Sequence, residues 1–97
     1  MQPTMTTDEY GTIRYTLYGR LHRLDGPAVI WPDGTQCWCL HGQRCREDGP
    51  AVFPADGDEE WFINDKRYTF NNYCKKLNLS EEDITFLKLK FNTCIVV

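Results

Sequence analysis

Hydrophobic and polar positions recur along this chain at a fixed period. The longest match aligns HRLDGPAV at residues 22–29 with CREDGPAV at residues 45–52. The period is 23 residues, and a fixed period of this size indicates an array of one structural unit. The aligned positions are an aromatic residue (Tyr15, Trp38, Trp61), an aliphatic residue (Leu17, Leu40, Ile63) and a turn pair (Tyr18-Gly19, His41-Gly42, Asn64-Asp65).

Each unit predicts two short antiparallel strands. Residues 35–40 alternate, so Trp38 and Leu40 share one face while Cys37 and Cys39 share the other. The turn pairs favour tight hairpins, and Asp-Gly-Pro favours a second turn because Pro blocks strand pairing. We therefore expect a mainly β (α+β) fold, an antiparallel meander of 23-residue β-hairpin repeats with a C-terminal helical cap. The repeats span 10–68 as units 10–32, 33–55 and a partial 56–68.

Residues 69–97 predict the helical cap and a tail. Thr69 is placed to cap a short helix over 71–77. Ser80 begins a capping box, with Leu79 and Ile84 as its hydrophobic staple. The following helix carries an apolar stripe, flanked by two further apolar residues, and residues 92–97 read as an extended tail or edge strand. The stripe is Ile84, Leu87 and Phe91, and the flanking residues are Phe86 and Leu89.

Composition limits the class of protein. A chain of 97 residues with 41% apolar and 26% charged residues indicates a single domain, residues 1–97. The net charge of −3 excludes a generally basic nucleic-acid binder, so we do not expect nucleic acid as a partner. The sequence has no membrane-spanning run and no secretory signal at its start, which favours the cytoplasm. The odd number of cysteines, five, favours free thiols.

The repeated heptad carries a family resemblance. HRLDGPA at residues 22–28, with a Trp and a turn Gly at the same period, resembles the MORN-repeat variant of small proteins from tailed bacteriophages and some large viruses. The likeness covers residues 10–68, and the second copy has Cys45 in the His position. The ending LSEEDI at residues 79–84 is also similar to those phage proteins. The resemblance implies a hairpin-repeat fold and a viral origin, in a family that mostly lacks an assigned activity.

A cysteine-rich stretch forms one candidate site. Four soft ligands, Cys37, Cys39, His41 and Cys45, lie within nine residues, as a zinc site requires. The reversal at His41-Gly42 places Cys45 on the neighbouring strand, and the first unit does not repeat the ligand set. We therefore expect no metal and no other cofactor, while a zinc-stabilised structural module remains an alternative.

Basic residues form a second set of candidates. Arginine offers a bidentate fork for phosphate, so the arginines before each Asp-Gly-Pro could bind anions in a row. The favoured alternative is an internal Arg–Asp pair that fixes the turn. The repeat also aligns basic residues along one edge. The candidate binding residues, taken from the repeated heptad and from this basic edge, are His22, Arg23, Arg44, Arg46 and Arg67.

Trp31 is the candidate for an exposed contact. It has no aromatic counterpart, because Pro54 occupies its position in the second unit. The recurrent aromatic residues, in contrast, are expected in the core. The two histidines and single serine, Ser80, form no catalytic arrangement, so we predict a protein that is not an enzyme.

The resemblance and these candidates lead to a functional hypothesis. We expect a small phage-encoded, non-enzymatic binding protein that docks on and inhibits a host protein, for example a CRISPR effector, in host-defence evasion. The alternative from another class is a sponge for signalling nucleotides that holds phosphates at Arg23 and Arg46. A homodimer through an edge strand or the C-terminal tail also remains open.

Overall fold

A computed structural model describes residues 2–55 and 58–91 of the chain. Within those ranges the protein consists of short antiparallel strands and two short helices, so the prediction of a mainly β (α+β) fold is confirmed. The elements are β1 (Thr4–Thr7), β2 (Ile13–Leu17), β3 (Arg20–Leu21), β4 (Val29–Ile30), β5 (Gln36–Cys37), β6 (Cys39–Leu40), β7 (Gln43–Arg44), β8 (Val52–Phe53), β9 (Trp61–Ile63), β10 (Lys66–Tyr68), α1 (Phe70–Lys76) and α2 (Glu81–Lys90).

The largest sheet has the order β1-β2-β4-β5-β8, and β3 also pairs with β2. Its neighbouring strands are all antiparallel. Strand pairs that lie 23 residues apart have the same register: Thr7 lies opposite Ile13, and Ile30 lies opposite Gln36. Thr7, Ile30 and Phe53 therefore lie in one row across the sheet.

Three tight hairpins join β2 to β3, β6 to β7 and β9 to β10. Their turn residues all have positive φ, from 50° at Asn64 to 83° at Gly42. Two consecutive residues with positive φ match the twist of the flanking strands, which is why such turns favour Asn, Asp and Gly. The three turn pairs predicted from the sequence are confirmed.

Strand β1 was not predicted, because it precedes the residues in which the repeat was recognised. Thr4–Thr7 pairs with β2 along its whole length, and all four of its residues are exposed. Thr6 and Thr7 stand one repeat before Val29 and Ile30 of β4, and they hold the same register against the next strand. β-branched threonines favour this extended conformation. The sheet thus begins one strand earlier than expected.

Both helices start at the predicted caps. The Oγ1 atom of Thr69 accepts a hydrogen bond from the Asn72 N–H, and the Oγ atom of Ser80 accepts one from the Asp83 N–H. Each hydroxyl satisfies a backbone donor that lacks a partner in the first helical turn. No helix of the described ranges is long and apolar enough to cross a membrane.

The buried side chains form two clusters. The first lies in the large sheet around Ala28, Val29, Cys37 and Cys39. The second joins β9 to both helices, where the ring of Phe70 lies 4.9 Å from that of Trp61. Its buried members are Trp61, Phe70, Tyr73, Cys74, Leu87 and Phe91.

The aromatic positions of the repeat differ in burial. Trp61 is buried as predicted, whereas Tyr15 and Trp38 are half-buried. Each of these two rings is covered by an arginine side chain rather than by another ring. The predicted tail over residues 92–97 and the turn at 56–57 lie outside the described residues.

Candidate binding surfaces

The arginines of the repeated heptad fold back onto their own turns. Nε of Arg23 donates to Asp25 at 3.0 Å, and Nη1 donates to the carbonyl of Pro27 at 3.3 Å. In the second unit, Nε of Arg46 donates to Asp48 at 2.9 Å, and Nη1 donates to the Pro50 carbonyl at 3.2 Å. The guanidinium of each unit therefore has partners within its own loop.

Each guanidinium is packed between an aromatic ring and a glycine. The Cζ atom lies 4.0 Å from the Tyr15 ring centre in Arg23 and 3.7 Å from the Trp38 ring centre in Arg46. A Cβ atom added at Gly26 or at Gly49 would lie 2.7 Å from the Cζ of that arginine. The glycine of the heptad is thus required by close approach of the guanidinium, and the ring gains a cation–π contact.

His22 lies inside the fold. Its side chain is buried, and Nδ1 accepts a hydrogen bond from the His41 N–H at 3.0 Å. The two imidazole rings are 4.4 Å apart. Cys45, the equivalent residue of the next unit, is also buried. This candidate binding residue therefore links one unit to the next hairpin turn.

The hairpin turns lie side by side at one end of the strands, and we call this end the turn rim. A Cβ atom added at Gly42 would lie 3.7 Å from the Arg20 side chain, so successive turns are in contact. Arg44 donates through Nε to Asp65 at 2.7 Å, and this bond lowers the pKa of the Asp65 carboxyl. The exposed residues of the turn rim include Arg20, Gln43, Arg44, Lys66 and Arg67.

Ion pairs neutralise part of the turn rim. Besides its bond to Asp65, the guanidinium of Arg44 lies 4.2 Å from the Phe62 ring centre. Nε of Arg67 lies 3.7 Å from a carboxylate oxygen of Glu60. The two candidate arginines of this rim are thus held by neighbouring carboxylates but remain exposed.

The opposite ends of the strands form a second edge, the loop rim, made of residues 8–12, 31–36 and 53–55. Its segments are in contact: a Cβ atom added at Gly11 would lie 3.7 Å from Pro32, and the Thr35 hydroxyl accepts a hydrogen bond from the Ala55 N–H at 3.2 Å. Trp31 lies on this rim with 36% of its surface exposed. Two adjoining shallow depressions share Asp33, and one contains Trp31 while the other contains Phe53, Pro54 and Ala55.

The loop rim is acidic, and its ranges contain no lysine or arginine. A side-chain hydrogen bond from Arg14 lowers the pKa of Asp8, and the Thr35 N–H lowers the pKa of Asp33. Both groups thus keep their negative charge to lower pH than free carboxyls. The exposed Tyr10, which was not a sequence candidate, lies beside Asp8, whose carboxylate accepts a hydrogen bond from the Tyr10 N–H. The repeat aligns Tyr10 with Asp33, so the repeat pattern does not mark Tyr10 as a binding residue. The only sequence signal for Tyr10 is its place in a surface loop.

The cysteine stretch brings two of its four candidate ligands together. The Sγ atoms of Cys37 and Cys39 are 3.6 Å apart in the sheet core. The hydrogen bond between the two thiols raises the pKa of Cys37 and lowers the pKa of Cys39. His41 instead contacts His22. In residues 2–55 and 58–91, no three potential metal-ligating side chains converge, and four thiols are free: Cys37, Cys39, Cys45 and Cys74.

Helix α2 has apolar residues on both sides. Leu87 is buried against the second cluster, whereas Phe86 is 60% exposed and Leu89 is 79% exposed. These two residues were predicted to flank the inward stripe. Since successive helical residues are about 100° apart, however, a residue next to Leu87 or two beyond it points away from the core.

Comparison with protein-family models, with characterised proteins and with solved structures finds no match for this chain. The geometry of these surfaces, together with the sequence resemblance, is therefore the basis for a functional proposal.

Proposed function

We propose that this chain is a small phage-encoded, non-enzymatic binding protein that docks on and inhibits a host protein in the bacterial cytoplasm. The purpose is host-defence evasion, with inhibition of a CRISPR effector as one example. The phage origin is supported by the heptad resemblance over residues 10–68. The docking role is supported by the shape and composition of the loop rim.

The observation that carries the proposal is the exposed Trp31 on a continuous row of loops. Trp31, Pro32 and the adjoining Pro54 form a shallow surface rather than a deep pocket. Small-molecule sites are concave and enclose most of their ligand, whereas tryptophan and tyrosine dominate the centres of protein interfaces. The acidic side chains beside Trp31 would direct the rim to a basic surface of the partner.

We also propose that the chain is a single domain built as a 23-residue hairpin-repeat array with a helical cap. Strand registers support this, because Arg14 opposite Val29 is followed one period later by Cys37 opposite Val52. Hydrogen bonds outside the strands recur in the same way. In the third unit, the Arg-x-Asp-Gly-Pro loop is replaced by α1, whose Phe70 covers Trp61.

The geometry gives less support to the nucleotide sponge. Both repeat arginines already donate to a carboxylate and a carbonyl of their own loops. A phosphate would have to displace these carboxylates and would meet Asp25 and Asp48 at close range. The zinc-stabilised module also receives less support, because the sulfur pair of Cys37 and Cys39 lacks a third converging ligand in the described residues.

A capture experiment tests the proposal. The tagged chain is incubated with lysate of the bacterial host, and recovered proteins are quantified against the bait. We expect one stoichiometric partner, whose retention falls about 30-fold for Trp31→Ala, as for a central aromatic anchor. Leu24→Ala is the matched control, since Leu24 is exposed but lies outside the loop rim.

Two outcomes contradict the proposal: recovery of no stoichiometric partner, and equal retention by Trp31→Ala and the control. The thermal unfolding midpoints of both variants verify that each remains folded.

A further inference from the structure

The outward face of α2 forms a groove with the second Arg-x-Asp-Gly-Pro loop. Its volume is about 300 Å³. Phe86 contributes an exposed ring and Leu79 an apolar wall, while Leu87 closes the base. The lining residues are Glu47, Asp48, Leu79, Asp83, Phe86, Leu87 and Lys90.

The charges around this groove are mainly negative. Glu47 and Asp48 line one side, and Asp83 lies one helical turn before Phe86. Asp48 receives a hydrogen bond from Arg46 but stays mostly exposed to solvent. Lys90 is the single cation of the lining, with Nζ 5.7 Å from the Phe86 ring centre. An apolar ring with three carboxylates around it therefore faces outward.

We infer that this groove binds a lysine- or arginine-rich segment of a partner protein, with an apolar anchor side chain seated against Phe86. The inference rests on the proposed docking function and specifies the chemistry of one partner segment. The cations of the segment pair with Glu47, Asp48 and Asp83, and its anchor covers the exposed part of the ring. Opposite charges around an apolar centre increase the rate of association and favour the correct partner.

Charge also disfavours the two other occupants that the chain itself could supply. In a two-fold interface built on this groove, each copy would bring three carboxylates and one cation, Lys90, so repulsive pairs would outnumber attractive ones. The segment 92–97, NTCIVV, contains no lysine or arginine and offers no cation to the acidic side chains. A basic partner segment satisfies both the apolar and the charged part of the groove.

The test uses the full chain and a fluorescein-labelled peptide with lysines along one helical face and leucines along the other. A peptide with glutamate in place of every lysine is the charge control. Fluorescence anisotropy should show saturable binding of the lysine peptide, and Phe86→Ala should weaken it about 10-fold. Glu47→Lys should also weaken it and reduce its dependence on salt. Leu24→Ala and Trp31→Ala should leave it unchanged, because both residues lie outside the groove.

Several results would overturn the inference. They are equal binding of the glutamate peptide, equal affinity of Phe86→Ala and wild type, and the absence of saturable binding. Tighter binding by a chain that ends at Phe91 would identify the tail as the occupant. A dimer in sedimentation that dissociates with Phe86→Ala would identify a second copy. If the lysine peptide binds but no host partner is captured, the proposed function is wrong and the groove inference stands. If a host partner is captured through Trp31 but the lysine peptide does not bind, the groove inference is wrong and the proposed function stands.

Discussion

In the first unit, 23% of the Arg23 side chain is exposed, whereas only 9% of the Arg46 side chain is exposed in the second. The bonds inside the two loops are nevertheless the same, and their lengths agree closely: 3.0 Å against 2.9 Å to the aspartate and 3.3 Å against 3.2 Å to the proline carbonyl. The heptad thus determines its own loop geometry, and the surroundings determine how deeply the loop is buried.

The helices cause this difference. The Phe91 ring centre lies 5.1 Å from Cζ of Arg46. The hydroxyl of Tyr73 donates to the Arg46 carbonyl and accepts a hydrogen bond from the Gly49 N–H. Burial raises the pKa of Tyr73, so its hydroxyl keeps its proton. The second loop therefore connects the sheet to the two helices, whereas the first loop connects to the neighbouring strand, where the Arg23 N–H donates to the Cys39 carbonyl.

The largest expected contrast is between Arg46→Ala and Arg23→Ala. We expect Arg46→Ala to lower the free energy of unfolding by about 3 kcal/mol, because charged hydrogen bonds and a buried cation–π contact are lost. Arg23→Ala should cost about 1 kcal/mol, because its guanidinium is more exposed. Urea unfolding followed by tryptophan fluorescence measures both values. Equal losses would show that the helices do not strengthen the second loop.

The glycines give the next contrast. A Cβ atom at Gly49 would lie 2.7 Å from both Arg46 and Phe91, whereas at Gly26 it would meet only Arg23 at that distance. We expect a loss of about 2 kcal/mol for Gly49→Ala and about 1 kcal/mol for Gly26→Ala, since overpacking is worse where two groups must move. Thermal unfolding of the two variants provides the comparison, and a reversed order would contradict it.

Tyr73→Phe removes only the hydroxyl that joins α1 to the second loop. We expect a loss of about 1.5 kcal/mol, because the buried Gly49 N–H and the half-buried Arg46 carbonyl both lose this partner. The control is Tyr10→Phe, which removes a hydroxyl from an exposed residue of the loop rim. Chemical denaturation measures the free energy of unfolding of both variants. A loss for Tyr73→Phe no greater than that for Tyr10→Phe would show that the Tyr73 hydroxyl does not stabilise the contact between α1 and the second loop.

The smallest effects are expected for Asp48→Asn and Asp25→Asn. Both carboxylates are mostly exposed, and ion pairs of this kind contribute about 0.5 kcal/mol or less. Here the two loops should behave alike, because the helices cover the arginine and not the aspartate. Paired denaturation curves in low and high salt measure this, and a loss above about 1 kcal/mol in either loop would show a larger structural role.

The turns and caps could be predicted because they depend on neighbouring residues. Thr69 and Ser80 were identified from sequence for this reason, and so were the positive-φ turns at His41-Gly42. The position of the guanidinium beneath each glycine could not be predicted, because it depends on a ring from another strand. The same limit applies to Phe86, whose exposure depends on which side of α2 meets the sheet.

Strands β1 and β9, near the two ends of the described residues, differ in the number of buried contacts that hold them in place. Towards one end of the described residues, the rings of Phe70 and Tyr73 in α1 and of Phe91 after α2 pack against Trp61, whereas at the other end β1 is paired with β2 alone in the described sheet. Local opening needs least free energy where few buried contacts are lost. We therefore expect the amide hydrogens of β1 (Thr4–Thr7) to exchange with solvent before those of β9.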